Sequence, residues 1–418
     1  MTQGTERDTG AGSSRLGMAG AAVTAAAMLT NGLAFLVPML GARQLSAGDL
    51  GALATVLALG GIAGVPGLGL QIAVAVRRAR YGRIPATRVT VATAALTGGA
   101  LLATTPLLTS YLHLPVPVAV LLAATTVPVV LAGRWLGELQ GDQRFLRLAA
   151  GMGVLATGRY AGLIGGLAAG AGLTRSLLVG VVVGYLTLPV LAWLAAPDRR
   201  ADTGSDPVAK LDSVLRGRSV LTAGSATLAM LAVSYADLLL ARQLLSVAES
   251  GGYAVGSVLT KGALWAPQVV TVLALPRLAR GDRRTRSVAL IVTAVCGVVL
   301  VAASAVGGEF AIRLAGGADY LWLAGYAPLF AATGALYALV FVLVNAQVAA
   351  GAPWPSGPLW LALAGLVVVA VLVAPRSLPG VLGSSLVTAA ATVLVMGWLA
   401  HRPERSCPTS SSREVDVS

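Results

Sequence analysis

Charge is scarce in this 418-residue chain, and acid is scarcer than base: 17 Asp and Glu stand against 30 Lys and Arg, and charged residues make up only 11% of the total. With 56% hydrophobic residues and a mean hydropathy of +0.81, too little polar surface remains to coat a water-soluble globule. The chain therefore reads as an integral membrane protein. Histidine is rarer still. His113 and His401 are the only two, one in a short loop and one past the last apolar run, so no imidazole acid–base pair or metal cluster can be assembled. Cys296 falls inside an apolar run and Cys407 in a polar tail, which excludes a disulfide framework and a cysteine metal site. Long loops on the outer side are missing too, which leaves no place for the catalytic residues of a membrane polymerase or ligase. No soluble domain is present to bind nucleic acid.

Apolar runs of membrane-spanning length are plentiful. Twelve lie near 17–41, 48–76, 86–110, 114–136, 148–172, 175–196, 218–240, 252–276, 287–308, 320–348, 357–374 and 379–400. Stretches such as "LLVGVVVGYLTLPVLAWLA" are apolar on every face, which favours helices over the alternating strands of a barrel. The expected fold class is all-α, with about 12 transmembrane helices and both termini on one side. The run at 320–348 is long enough to tilt, kink or lie partly outside the hydrocarbon. The first run is too long for a signal-peptide core and reads as an uncleaved first helix. The flanking tail 1–16 is expected to be cytoplasmic, and the tail 401–418 cytoplasmic and disordered.

The positive charge is distributed by side. Loops sharing the side of the N terminus hold 23 of the basic residues and the opposite loops hold five: Arg43, Arg175, Arg242, Arg313 and Arg376. Retention of basic residues in the cytoplasm places both termini inside a bacterial inner membrane, with membrane lipids as a secondary electrostatic partner. Arg outnumbers Lys 28 to 2, as in a GC-rich bacterial genome.

The longest polar interruption, 197–217, divides the runs into a lobe at 17–196 and a lobe at 218–400. The two share a phrase. "ARQLSAGDLG" from Ala42 aligns with "ARQLLSVAESG" from Ala241 after one extra leucine, matching Arg43 with Arg242, Ser46 with Ser246, Asp49 with Glu249, and Gly51 with Gly251. A repeat of six spans keeps both lobes in the same orientation and leaves a cleft between them. Rocking one lobe against the other would give alternating access.

These residues resemble a known family. Asn31 in a first helix, then "GARQLSAGDLGALATVLAL" and "GVPGLGLQIAVAVRRAR", and in the second half "ADLLLARQLLSVAESGGYAVGSVLTKGALWAPQVVTVLALPRLAR", are similar to the polysaccharide-transporter, or oligosaccharide flippase, family. Its superfamily also holds multidrug and toxin extrusion carriers and lipid II flippases. The resemblance implies a V-shaped pair of six-helix lobes and transfer of undecaprenyl-pyrophosphate-linked oligosaccharide for cell-surface polysaccharide. Its implied partners are the lipid-linked saccharide and glycosyltransferases or a polymerase of the same pathway.

A charge at bilayer depth costs at least about 2.5–3.5 kcal/mol, so each one needs a partner or a wet cavity. Lys261 and Arg159, one in each lobe, are candidates to hold an anionic group in the cleft; alternatively Lys261 pairs with Asp237 to fix helix register. Asp237 could bind a proton or Na⁺ and couple transport to a gradient, or neutralise Arg242. Arg43 and Arg242 either snorkel to headgroups or line the outer mouth. Asn31, Gln71, Gln268, Asn345 and Gln347 could meet sugar hydroxyls or join helices. Arg134 and Glu138, four apart, are expected to pair on a helix face. No cofactor is required. Against the flippase stands a small-molecule exporter of the multidrug and toxin extrusion type, for which acids are expected in the first lobe's cavity; the first six spans hold none near mid-membrane.

Overall fold

The computed structural model describes residues 6–82, 85–196, 217–265, 283–349, 354 and 356–401. The regular structure there is helical throughout. The first half of the chain contains α1 (Glu6–Gln44), α2 (Ala47–Ala63), α3 (Val65–Tyr81), α4 (Thr87–Ala103), α5 (Thr105–Tyr111), α6 (Val116–Gly141), α7 (Phe145–Ala168) and α8 (Gly172–Leu194). The second contains α9 (Gly217–Leu244), α10 (Val247–Trp265), α11 (Arg283–Val306), α12 (Gly308–Gly316), α13 (Ala327–Ala349), α14 (Gly357–Val368) and α15 (Leu378–His401). Helix α1 begins at Glu6, inside the segment read as a tail. The linker at 197–217, apart from Gly217, and the tail after His401 lie outside the described residues.

Among the described residues, eight helices are long and apolar enough to cross a membrane, or nine if the bent pair α4–α5 is one span. Helix α7, expected to span, is not among them because Arg147, Arg159 and several glycines dilute its apolarity. The run at 320–348 divides into a 3₁₀ stretch, Ala318–Tyr326, and the span α13. The outside of the molecule is greasy: Leu96, Leu361 and Leu394 are each more than 70% exposed. Among the described residues the buried set contains a single charged side chain, Asp237. Apolar outside with selected polarity within is the pattern of a multi-pass membrane protein.

The duplicated phrase has a local cause in helix capping. Ser46 Oγ accepts the Asp49 N–H at 3.2 Å and donates to the Asp49 carboxylate. Ser246 and Glu249 repeat the arrangement, the hydroxyl donating to Oε2 at 2.8 Å. Each copy thus ends one helix and starts the next with a side-chain cap on one of its free N–H groups.

The two copies also meet. A methyl group on Gly251 would lie 2.9 Å from the Ala47 carbonyl oxygen, and one on Gly51 would lie 3.1 Å from Ser250 Oγ. Small residues here bring α2 and α10 together at the end where α1 turns into α2, called the turn end below. One hydrophobic cluster runs across both halves, joining Leu50 and Ala54 to Tyr253, Phe330 and Leu382. Within the first half, α3 and α6 pack backbone to backbone, since any side chain on Gly133 would strike the Gly67 carbonyl.

Candidate functional site: a basic cavity between the halves

Helices α1, α2, α7, α9 and α10 line a cavity of about 110 Å³. Asn31 and Phe35 reach it from α1, Arg159 from α7 and Lys261 from α10. Pro38 interrupts α1 on this side, where a missing backbone N–H permits bending.

The two cations are held differently. Lys261 Nζ donates to the Ser234 carbonyl and lies 3.7 Å from the centroid of the Tyr235 ring. The ring face attracts the ammonium and the carbonyl accepts one proton, leaving further donor capacity for the cavity. The Arg159 guanidinium lies 5.3 Å from the Tyr160 ring centroid. Among the described residues it has no hydrogen-bond or ion-pair partner, so its donors remain available. Arg159 also borders a second, smaller space of about 40 Å³ with Thr125 and Thr126.

Asp237 does not line the cavity. It is 3% exposed and sits behind the wall formed by Tyr235 and Leu238. Its carboxylate accepts from Tyr253 Oη at 2.9 Å, Ser385 Oγ at 3.3 Å and the Leu238 N–H at 2.8 Å. Tyr337 extends the network to the Val233 carbonyl and stands 3.4 Å from Ser385 Oγ. Neither ion pair considered for Asp237 forms at contact distance, although Lys261 and Asp237 still act on each other electrostatically. Lys261 points to Ser234 instead of forming an ion pair with it, and Arg242 is engaged elsewhere.

Arg43 and Arg242 lie outside the cavity, at the turn end. Arg242 donates to the carbonyls of Leu112 at 3.1 Å, Gly48 at 3.2 Å and His113 at 3.2 Å, all in the first half. Arg43 donates to the Leu314 carbonyl, in the second half, at 3.3 Å. Of the polar residues weighed as sugar contacts, Asn31 lines the cavity, Gln71 bonds Gln140 between α3 and α6, and Asn345 bonds its own helix at Phe341. Gln268 lies outside the described residues. Arg134 and Glu138 pair at 2.9 Å, and Arg134 also donates to Thr87.

Sequence reasoning missed the aromatic lining, Phe35, Tyr160, Tyr235 and Trp265, and the donors around Asp237. Aromatics are only 5% of the chain, and Tyr160 and Tyr235 stand one and two residues from charges already singled out. That adjacency was the available signal.

No family model matches the sequence, and no curated protein matches it. Solved structures do match in fold. An inward-facing multidrug resistance MATE family transporter of the MOP superfamily superposes with a TM-score of 0.65 at 13% identity, over 88% of this chain and 94% of that one. The eukaryotic MATE transporter AtDTX14 gives 0.63 at 14% identity, over 91% and 93%. An outward-facing MATE family transporter gives 0.54 at 14%, over 90% and 92%.

These matches overturn the reading as a flippase of lipid-linked oligosaccharide for surface polysaccharide. The structures that share the fold are those of multidrug and MATE transporters, so the lipid-linked saccharide and its pathway enzymes fall as partners. The physical reason is that the quoted phrases cap helices and close the turn end, tasks any carrier of this architecture must perform whatever its cargo. The chain is a multi-pass, all-α membrane protein whose fold is like that of solved MATE transporters.

Proposed function

We propose that this protein is a carrier of the multidrug and toxin extrusion type, exporting small molecules through the cavity between its halves. The observation that carries the reading is that cavity: it is built by helices of both halves and lined by aromatic rings and by one cation from each, inside a transporter fold. In this reading twelve spans form lobes at 17–196 and 218–400, with both termini in the cytoplasm of a bacterial inner membrane. The closer similarity to an inward-facing than to an outward-facing transporter supports a state closed at the turn end.

Lys261, Arg159 and Asn31 are the proposed cargo contacts, and Asp237 is the proposed coupling group for H⁺ or Na⁺. As the one charged residue in the buried set among the described residues, it joins α9 to α10 and α15 through its donors. A change in its occupancy would therefore be felt by several helices.

The test is export from proteoliposomes containing the purified full chain, using a panel of cationic, neutral and anionic fluorescent compounds. Gradient-dependent export of at least one compound is expected, lost when Lys261 and Arg159 are both replaced by Gln. Export of none under any H⁺ or Na⁺ gradient would refute the reading.

A further inference from the structure

We propose that the cargo is a small aromatic organic anion, a ring system bearing a carboxylate, sulfonate or similar group; this inference rests on the carrier reading above. The charges that face the cavity carry the argument. Arg159 and Lys261 line it, and among the described residues no acidic one does. Asp237, the nearest acid in sequence to this wall, already accepts three hydrogen bonds behind it. An entering cation would meet two like charges, Arg159 and Lys261, in a low-dielectric site. An anion would meet a guanidinium with free donors and an ammonium with donor capacity to spare.

The rest of the lining specifies the body of the ligand. Phe35, Tyr160, Tyr235 and Trp265 come from four different helices, so an aromatic ring between the two cations would have stacking partners on several sides. Tyr235 and Tyr160 also hold the ammonium and guanidinium near ring faces. Because Arg159 belongs to the first half and Lys261 to the second, one anionic group reaching both would bridge the halves. Occupancy and the rocking of the halves are thereby linked through a single contact.

The experiment uses three probes that share a ring and differ in charge: naphthalene-2-sulfonate, 2-naphthalenemethanol and a naphthylmethyl-trimethylammonium ion. Binding to the full chain in nanodiscs is measured calorimetrically, and export is followed in proteoliposomes. The sulfonate is expected to bind about tenfold or more tightly than the alcohol, and the ammonium ion most weakly. Arg159→Gln and Lys261→Gln should each weaken the sulfonate by about tenfold while leaving the alcohol unchanged, and Lys261→Arg should retain binding. The comparison of probes on the unaltered protein stands even if a variant does not fold. Ammonium binding equal to or tighter than sulfonate binding overturns the inference, as does an equal loss for alcohol and sulfonate in the variants. Ammonium export without sulfonate export sinks the anion inference and keeps the carrier. Sulfonate binding without export of any probe does the reverse.

Discussion

Arg43 and Arg242 occupy the same place in two copies of one phrase, and each donates to backbone carbonyls in the half of the chain to which it does not belong. The pair ties the halves together reciprocally at the turn end, close to where Gly251 meets Ala47. The ties are unequal. Arg242 is half-buried and reaches three carbonyls, whereas Arg43 is exposed and reaches one.

Arg242→Ala should therefore favour opening at the turn end by about 1.5–3 kcal/mol, roughly a ten- to hundredfold shift in population. Arg43→Ala should shift it by less than about 1 kcal/mol. Spin labels placed across that end, read by pulsed distance measurements, will report the populations. Equal effects of the two substitutions would contradict the asymmetry of the contacts.

The network around Asp237 separates folding from coupling. Tyr253→Phe or Ser385→Ala removes one donor and should lower thermal stability by about 1–3 kcal/mol while export still responds to an ion gradient. Asp237→Asn keeps a side-chain acceptor for those donors but removes the titratable oxygen. Its export should lose dependence on an inward-directed H⁺ or Na⁺ gradient. Undiminished dependence, measured with each gradient imposed separately, would remove Asp237 from the coupling role.

Packing at glycine offers a paired stability test. Gly133→Val would push a branched side chain into the α3 backbone at Gly67, which cannot swing aside, and should cost about 1–3 kcal/mol or prevent folding. Gly99, in α4, has no protein atom within 4 Å of where a Cβ would stand, so Gly99→Ala should change stability by no more than about 0.5 kcal/mol. Thermal unfolding in detergent will rank the two.

Orientation can be read by labelling. In a background with Cys296 and Cys407 replaced, a cysteine at Gln143, in the α6–α7 turn, should react only with reagent supplied from the cytoplasm. A cysteine at the exposed Ser110, in α5, should react from outside. The opposite pattern would invert the assignment of both termini.

The Arg134–Glu138 pair was legible because its partners are close in sequence. Ser46 with Asp49 and Ser246 with Glu249 were legible as a repeat, while their capping role emerged from the structure. The cavity was legible only in part. Lys261 and Arg159 stood out as charges in apolar runs, yet nothing local shows that they share a space with Trp265 and Phe35. The partners of Arg242 were hidden for the same reason, with Gly48 lying 194 positions away. The flippase reading failed because it took cargo from a phrase whose residues cap helices and tie the two halves of the chain together.

Composition and hydropathy alone determined that this chain lives in a membrane as helices, which follows from transfer free energies; the repeated phrase led only to the expectation of two related halves. Tertiary structure decided which way each charged side chain turns. It set Asp237 toward Tyr253 and Ser385, Lys261 toward Ser234 and the cavity, and the two arginines across the halves. A charge in a span must find compensation, but which of many distant carbonyls, rings or hydroxyls supplies it depends on how helices from both halves pack.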